Sequence, residues 1–107
     1  ASGGSGGGSG DYQAKSSDFS VGVSEYMFGV NTAGGTVTAT LPACASAGAG
    51  KQYVIKDVGG QAGSNNIEIE TNGSEKIDGA GSANIMVASG SMTVMTDGSN
   101  WFVIGVS

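Results

Sequence analysis

The sequence contains no histidine, no arginine and a single cysteine, and each deficit excludes a class of chemistry. Without histidine, the chain has neither an imidazole acid–base catalyst nor an imidazole metal ligand. Because Cys44 is alone, no intrachain disulfide can form, which fits folding in a reducing cytoplasm. Small residues flank Cys44 and no histidine can generate its thiolate, so we predict a packed thiol rather than a nucleophile.

Positive charge is also scarce. Four lysines stand against nine acidic residues, and the net charge over 107 residues is −5. Binding to nucleic acid or to an anionic membrane needs clustered Lys or Arg, and these lysines form no run. No apolar run approaches the roughly 20 residues of a membrane-spanning helix. The sequence therefore predicts neither a nucleic-acid partner nor a membrane partner.

Glycine is abundant, with 21 residues. Each glycine loses more backbone freedom on folding than any other residue, so a core of this size leaves a thin stability margin. Oligomerisation is a common remedy for a thin core, and a small but adequate monomeric core is the alternative. We expect an oligomer.

The N-terminal segment differs in composition from the rest of the chain. Residues 1–10 contain only Ala, Ser and Gly, a composition that behaves as a flexible coil in isolation. We assign residues 1–17 to a Gly/Ser-rich arm or linker and residues 18–107 to one all-β domain. As an arm, the segment would become ordered against a partner chain.

From Asp18 onward, apolar and polar residues alternate with period two. Ile67 and Ile69 alternate with Glu68 and Glu70, the cleanest half-buried strand of the chain. Glycine- and asparagine-rich turns separate strands at intervals of about 8–12 residues. This pattern predicts an antiparallel β-sandwich or a prism-like, jelly-roll-like protomer.

Two local predictions are sharper. Asp97–Asn100 is expected to form a tight hairpin that joins strands Met92–Thr96 and Trp101–Val106. One helical turn is expected over Pro42–Ala47, with Gly48 as its end.

Carboxylates are the main candidates for chemistry. Glycoside hydrolysis needs two of them across a cleft, but Glu68 and Glu70 lie two apart on one strand and so share a solvated face. A calcium site formed by Asp57, Asp78 and Asp97 lacks the spacing of a calcium loop, and turn formation explains these residues better. Glu75 is one further acidic candidate. We predict no catalytic, cofactor or metal site, and hence no enzyme.

A glycan contact is the remaining site hypothesis. Trp101, the only tryptophan, is able either to stack on a sugar ring or to pack under the terminal hairpin, and we favour packing. Asn65, Asn66 and Asn72 lie in predicted loops, where their amides would suit polar contacts to a surface glycan.

A resemblance extends from about Thr36 to Ile104. In their order along the chain, these segments resemble the small trimeric β domains of bacteriophage fibre, tail-spike and capsid-decoration proteins. The segments are Thr40-Leu41-Pro42, Lys51–Asp57, Asn65–Ile69, Glu75–Gly79, Met92–Thr96, Asp97–Asn100 and Trp101–Ile104.

The resemblance implies a structural virion protein assembled in the host cytoplasm as a homotrimer, without catalytic residues. The chain has no long fibre shaft, which favours a short head fibre or a decoration protein over a long tail fibre. The arm would bind other virion proteins. A host-receptor or carbohydrate-binding adhesin is the alternative, with a host surface glycan as its partner.

Overall fold

A computed structural model describes residues 12–107, and in that range it contains nine strands and one short helix. Alternating apolar and polar side chains with many β-branched residues favour strands throughout. The elements are β1 (Tyr12–Lys15), β2 (Phe19–Ser20), β3 (Met27–Val30), β4 (Val37–Thr40), α1 (Cys44–Ala47), β5 (Gln52–Asp57), β6 (Ile67–Glu70), β7 (Ser82–Ile85), β8 (Ser91–Thr96) and β9 (Trp101–Val106).

The strands form two sheets, and the all-β prediction is confirmed. The five-stranded sheet has the order β9-β8-β5-β3-β1, and the four-stranded sheet has the order β2-β4-β6-β7. From β1 to β6 the chain changes sheet after every strand. It then adds β7 to the four-stranded sheet and the β8–β9 pair to the five-stranded one.

The prediction of purely antiparallel sheets is wrong. β1, β3 and β5 run parallel to one another, as do β2, β4 and β6, whereas the pairs made by β7, β8 and β9 are antiparallel. A chain that crosses to the other sheet and returns enters each sheet in the same direction every time, so neighbouring strands become parallel. A jelly-roll-like topology, which is antiparallel, is excluded for the same reason.

The hairpin prediction is confirmed, and the helical turn forms over Cys44–Ala47, two residues after its predicted start at Pro42. β8 and β9 pair antiparallel across residues 97–100, with Trp101 opposite Thr96. The side chain of Asp97 shapes this turn, because its Oδ1 accepts the amide hydrogens of Ser99 and Asn100, both at 2.9 Å. The helical turn ends at Gly48, whose φ of 90° is one that glycine adopts without strain.

The inner faces of the two sheets share one core. Phe28 and Tyr53 from the five-stranded sheet and Ile67 and Ile69 from the four-stranded sheet are fully buried. A row of four aromatic rings crosses this core, with centroid distances between successive rings of 5.3, 6.5 and 5.7 Å; the rings are Phe19, Phe28, Tyr53 and Trp101. Aromatic pairs at such distances add to the stability that burial gives.

The ordered sheet begins inside the range that the sequence assigns to the arm. β1 lies within residues 1–17 and pairs along its whole length with β3. The Tyr12 ring lies over Gly29, where a β-carbon would fall 1.9 Å from the Tyr12 hydroxyl oxygen. Glycine at position 29 therefore allows Tyr12 to lie flat on the sheet. Residues 1–11, including the predicted Gly/Ser segment, lie outside the described residues.

Candidate functional site

The outer face of the five-stranded sheet carries six large apolar side chains beside the polar Gln52, Lys56, Ser91 and Thr93. The register places Tyr12, Met27 and Val54 in one row across β1, β3 and β5, and Met95 and Phe102 opposite each other on β8 and β9. Their strand neighbours, such as Phe28, Ile55 and Val94, point into the core, so these five side chains point away from it. We define the apolar outer face as Tyr12, Met27, Val54, Met95, Phe102 and the exposed Ile104.

The outer face of the four-stranded sheet is polar. We define the polar outer face as Thr38, Thr40, Glu68, Glu70, Ser82 and Asn84, which the register places side by side on β4, β6 and β7. The Thr38 hydroxyl donates a hydrogen bond to Glu68 Oε1 at 3.3 Å. On β6, Glu68 and Glu70 point to the outer face and the buried Ile67 and Ile69 point to the core, as the alternation predicts.

The two outer faces also differ in the charged side chains that they carry. Within residues 12–107, the outer face of the five-stranded sheet has no carboxylate, and its one charged residue is Lys56. The Lys56 ammonium donates to the Ser89 carbonyl oxygen at the rim of the sheet. For a chain with a net charge of −5, the apolar outer face is unusually free of negative charge.

Trp101 lies entirely in the core. It has no exposed surface, and its ring packs at 46° against the ring of Tyr53, with a centroid distance of 5.7 Å. Its Nε1 is buried and has no hydrogen-bond partner among the described residues. An indole in this position does not reach a sugar, so its place fits the packing alternative rather than the glycan contact.

The three asparagine candidates lie at two ends of the molecule. Asn65 and Asn66 precede β6, and the Asn65 Nδ2 donates to the Thr32 carbonyl oxygen at 2.8 Å. Asn72 is exposed and follows β6. β6 alone separates the two positions by roughly 13 Å, so the structure does not bring all three asparagines together.

Asp57 stands out among the carboxylates because it is buried at the end of β5. Its two oxygens accept backbone hydrogens from Gly60 at 3.1 Å, Ala62 at 3.0 Å and Ser89 at 2.8 Å. Burial by itself would raise the pKa of this carboxyl. The amide hydrogen bonds, from Ala62 first, outweigh burial and hold the pKa below its ordinary value of 3.8. Asp57 therefore ties the two loops after β5 and β7 together.

The other two aspartates of the calcium hypothesis lie apart from Asp57. Asp97 shapes the β8–β9 turn at the opposite end of β8 from Ser91, and its amide hydrogen bonds, from Asn100 first, lower the pKa of its carboxyl. Asp78 accepts a hydrogen bond from the Val103 amide at 3.3 Å. Among residues 12–107, no group of three potential ligand residues is arranged to hold a metal ion.

Cys44 is fully buried at the start of α1. Burial raises the pKa of its thiol, and the Glu75 carboxylate raises it further, against a hydrogen bond with Thr96. Its backbone amide donates to both oxygens of Glu75, at 3.2 and 3.0 Å. Glu75 thus holds the 71–81 loop against α1. This structural contact accounts for the position of the Glu75 carboxylate.

The apolar outer face was missed in the reading of the sequence, although a signal for it exists. Tyr53-Val54-Ile55 and Trp101–Ile104 are continuous apolar runs, whereas Ile67–Glu70 alternates strictly. Continuous apolar strands are typical of sheets that are covered on both faces. Only one face of the five-stranded sheet is covered by residues 12–107.

A comparison with models of protein families finds no match, and a comparison with curated proteins finds none either. Within residues 12–107, the single helix is one turn long, and no helix has the length and hydrophobicity to cross a bilayer.

Proposed function

We propose that this chain is a structural, non-enzymatic module of a bacteriophage particle, a head fibre or decoration protein, that works by assembling into a homotrimer. The observation that carries the proposal is the apolar outer face, since monomeric proteins rarely expose large contiguous apolar patches unless these bind a partner. The phage assignment rests on the ordered series of segments between Thr36 and Ile104.

Within this proposal, the two sheets act as a β-sandwich or prism-like protomer. The shared core makes each protomer rigid, and the Asp57 hydrogen bonds fix the loops at one end. Such a module supplies a folded block of defined shape rather than a reaction. Residues 1–17 would be the anchor to other virion proteins, with β1 joining that anchor to the sheet edge.

Incorporation into particles tests the proposed function. The full chain and a fragment that begins at Tyr12 are each expressed in infected cells, and purified particles are assayed for the protein. We expect the full chain to be incorporated and the fragment to fold but stay free, because it lacks residues 1–11 of the anchor. Absence of the full chain from particles would contradict the proposed function.

The adhesin alternative has less support because Trp101 is buried and the asparagines are dispersed. A glycan array distinguishes the two functions. A structural module gives no specific glycan signal, whereas an adhesin gives one that Asn72→Ala removes and Thr38→Ala, on the polar outer face, leaves intact.

A further inference from the structure

The outer face of the five-stranded sheet presents large apolar side chains among polar ones, and within residues 12–107 only the inner face of this sheet is covered. In β5, Tyr53 and Ile55 are fully buried and the outward Val54 between them is also apolar. In β9, the buried Trp101 is followed by the outward Phe102. Covering each apolar side chain contributes about 1.5–3 kcal/mol, so an open face of this kind favours association.

Residues 1–11 are poorly suited by composition to cover the apolar outer face. Residues 1–11 consist of Ala, Ser, Gly and one Asp, and they include no large apolar side chain. Burying the apolar outer face against them would exclude little apolar surface from water. Another polypeptide that carries large apolar side chains suits this face better.

Charge favours a second copy of this chain as that polypeptide. Two copies that each carry a charge of −5 repel one another, and the repulsion is smallest where the facing surfaces hold no carboxylate. The outer face of the five-stranded sheet meets this condition, whereas Glu68 and Glu70 occupy the polar outer face. An acid-free apolar face on an acidic protein fits self-association.

Exposed apolar side chains at both edges of the sheet favour three copies over two. Tyr12 is 52% exposed on the edge strand β1, while Ile104 is 49% exposed on the opposite edge strand β9. A face-to-face pair covers the centre of a sheet best and leaves its edges open. In a closed ring of three, the β9 edge of one copy lies beside the β1 edge of the next, which protects both edges.

The dimensions of the sheet agree with a ring of three. Five strands spaced at about 4.8 Å make a face roughly 19 Å wide. Three such faces arranged as a triangular prism lie about 5.5 Å from the common axis, by the geometry of the strand spacing. Half the distance between two packed sheets is about 5 Å, so one layer of side chains from each copy fills the space at the axis.

We propose that three copies of the chain pack the apolar outer face of the five-stranded sheet around a common threefold axis, with β9 of each copy beside β1 of the next. This inference rests on the proposed function, for which it names the assembly surface. On the central strand β5 and its neighbour β8, Val54 and Met95 lie nearest this axis, beside Thr93 and Gln52.

Molar mass in solution tests the arrangement. Sedimentation equilibrium of the full chain at tens of micromolar is expected to give 31.2 kDa, three times the 10.4 kDa of one chain. Met95→Lys adds an ammonium group from each copy near the axis, on a face that already carries Lys56, and should give a folded monomer. The matched control, Asn84→Lys, makes the same added charge on the polar outer face and should stay at 31.2 kDa. Circular dichroism confirms that each variant is folded.

A milder variant keeps the test valid if Met95→Lys does not fold. Val54→Thr preserves side-chain shape but places a hydroxyl at the axis, and it should raise the concentration at which the trimer dissociates. A trimer that both Met95→Lys and Val54→Thr leave intact would overturn this surface but leave assembly as the function. Dissociation by Asn84→Lys, or a wild-type dimer, would also overturn the threefold arrangement. A wild-type monomer would overturn both this arrangement and the homotrimer of the proposed function.

Discussion

The five-stranded and four-stranded sheets have equally buried inner faces, but their outer faces differ in kind. Val54, between two buried residues of β5, is apolar, whereas Glu68, between two buried residues of β6, is charged. Both strands are well formed, so strand formation does not require either type of outer face. The proposed trimer accounts for this difference: in it the four-stranded sheet faces water and the five-stranded sheet faces other copies of the chain.

The inner faces are where the two sheets depend on each other most. Trp101→Ala would remove the largest buried side chain and leave a cavity, so we expect a loss of about 3–5 kcal/mol in the free energy of unfolding. Urea denaturation followed by circular dichroism measures the change. Glu70→Ala, on the polar outer face, serves as the control and should change stability by less than about 0.5 kcal/mol. Equal effects of the two variants would contradict the common core.

The connection between the sheets is the next most sensitive place. Asp57→Asn replaces one acceptor oxygen with an amide group that faces backbone N–H donors, so buried hydrogen bonds are lost. We expect a loss of about 2–4 kcal/mol in the same urea experiment. Asp18→Asn, at an exposed carboxylate that accepts one amide hydrogen bond, is the control and should cost much less. A change below about 0.5 kcal/mol for Asp57→Asn would show that the loops do not depend on this carboxylate.

The same carboxylate makes stability depend on pH. Because the folded-state pKa of Asp57 is lowered, its contribution is present above the unfolded pKa of about 3.9 and is lost as the pH falls through the folded value. The stability gap between the wild type and Asp57→Asn should therefore narrow below about pH 4. Urea titrations at pH 7 and below pH 4 measure the gap. A constant gap would contradict the assigned pKa shift.

The smallest expected change in stability comes from making the two outer faces alike. The double variant Glu68→Val, Glu70→Val gives β6 a continuous apolar run like those of β5 and β9. Stability should change by less than about 0.5 kcal/mol, because valine suits a strand and neither side chain lies in the core. Light scattering should show new self-association beyond that of the wild type. An unchanged mass at high concentration would show that the apolar or polar character of an outer face does not determine whether that face binds another copy of the chain.

Local structure was predictable from the sequence, because local patterns decide it. The strict alternation of Ile67–Glu70 identified β6 and its solvated face, and the Asp97–Asn100 turn identified the β8–β9 pair. The parallel order of β1 to β6 was not predictable in the same way, because pairing between distant strands leaves no local trace. β1 was hidden by its position next to the Gly/Ser segment.

The candidate site was predicted less well than the fold. A lone tryptophan after a turn suits both a sugar contact and a core, and only the 5.7 Å distance from the Trp101 ring to the Tyr53 ring places it in the core. The role of Asp57 depends on amides from two distant loops, which no short motif encodes. The apolar run Trp101–Ile104 did carry a local signal, and reading it as a strand with two covered faces would have located the apolar outer face.

Chemical labelling of introduced cysteines tests the assembly surface most directly. Cys44 is fully buried, so thiols placed at the surface react selectively in the folded protein. Met95→Cys and Asn84→Cys are each labelled with a maleimide as protein concentration increases. The account predicts that the thiol at position 95 becomes severalfold slower to react as the chain assembles, while the thiol at position 84 keeps its rate. If the sample is trimeric by mass but the labelling rates at positions 95 and 84 are equal and do not change with protein concentration, the proposed assembly surface is contradicted.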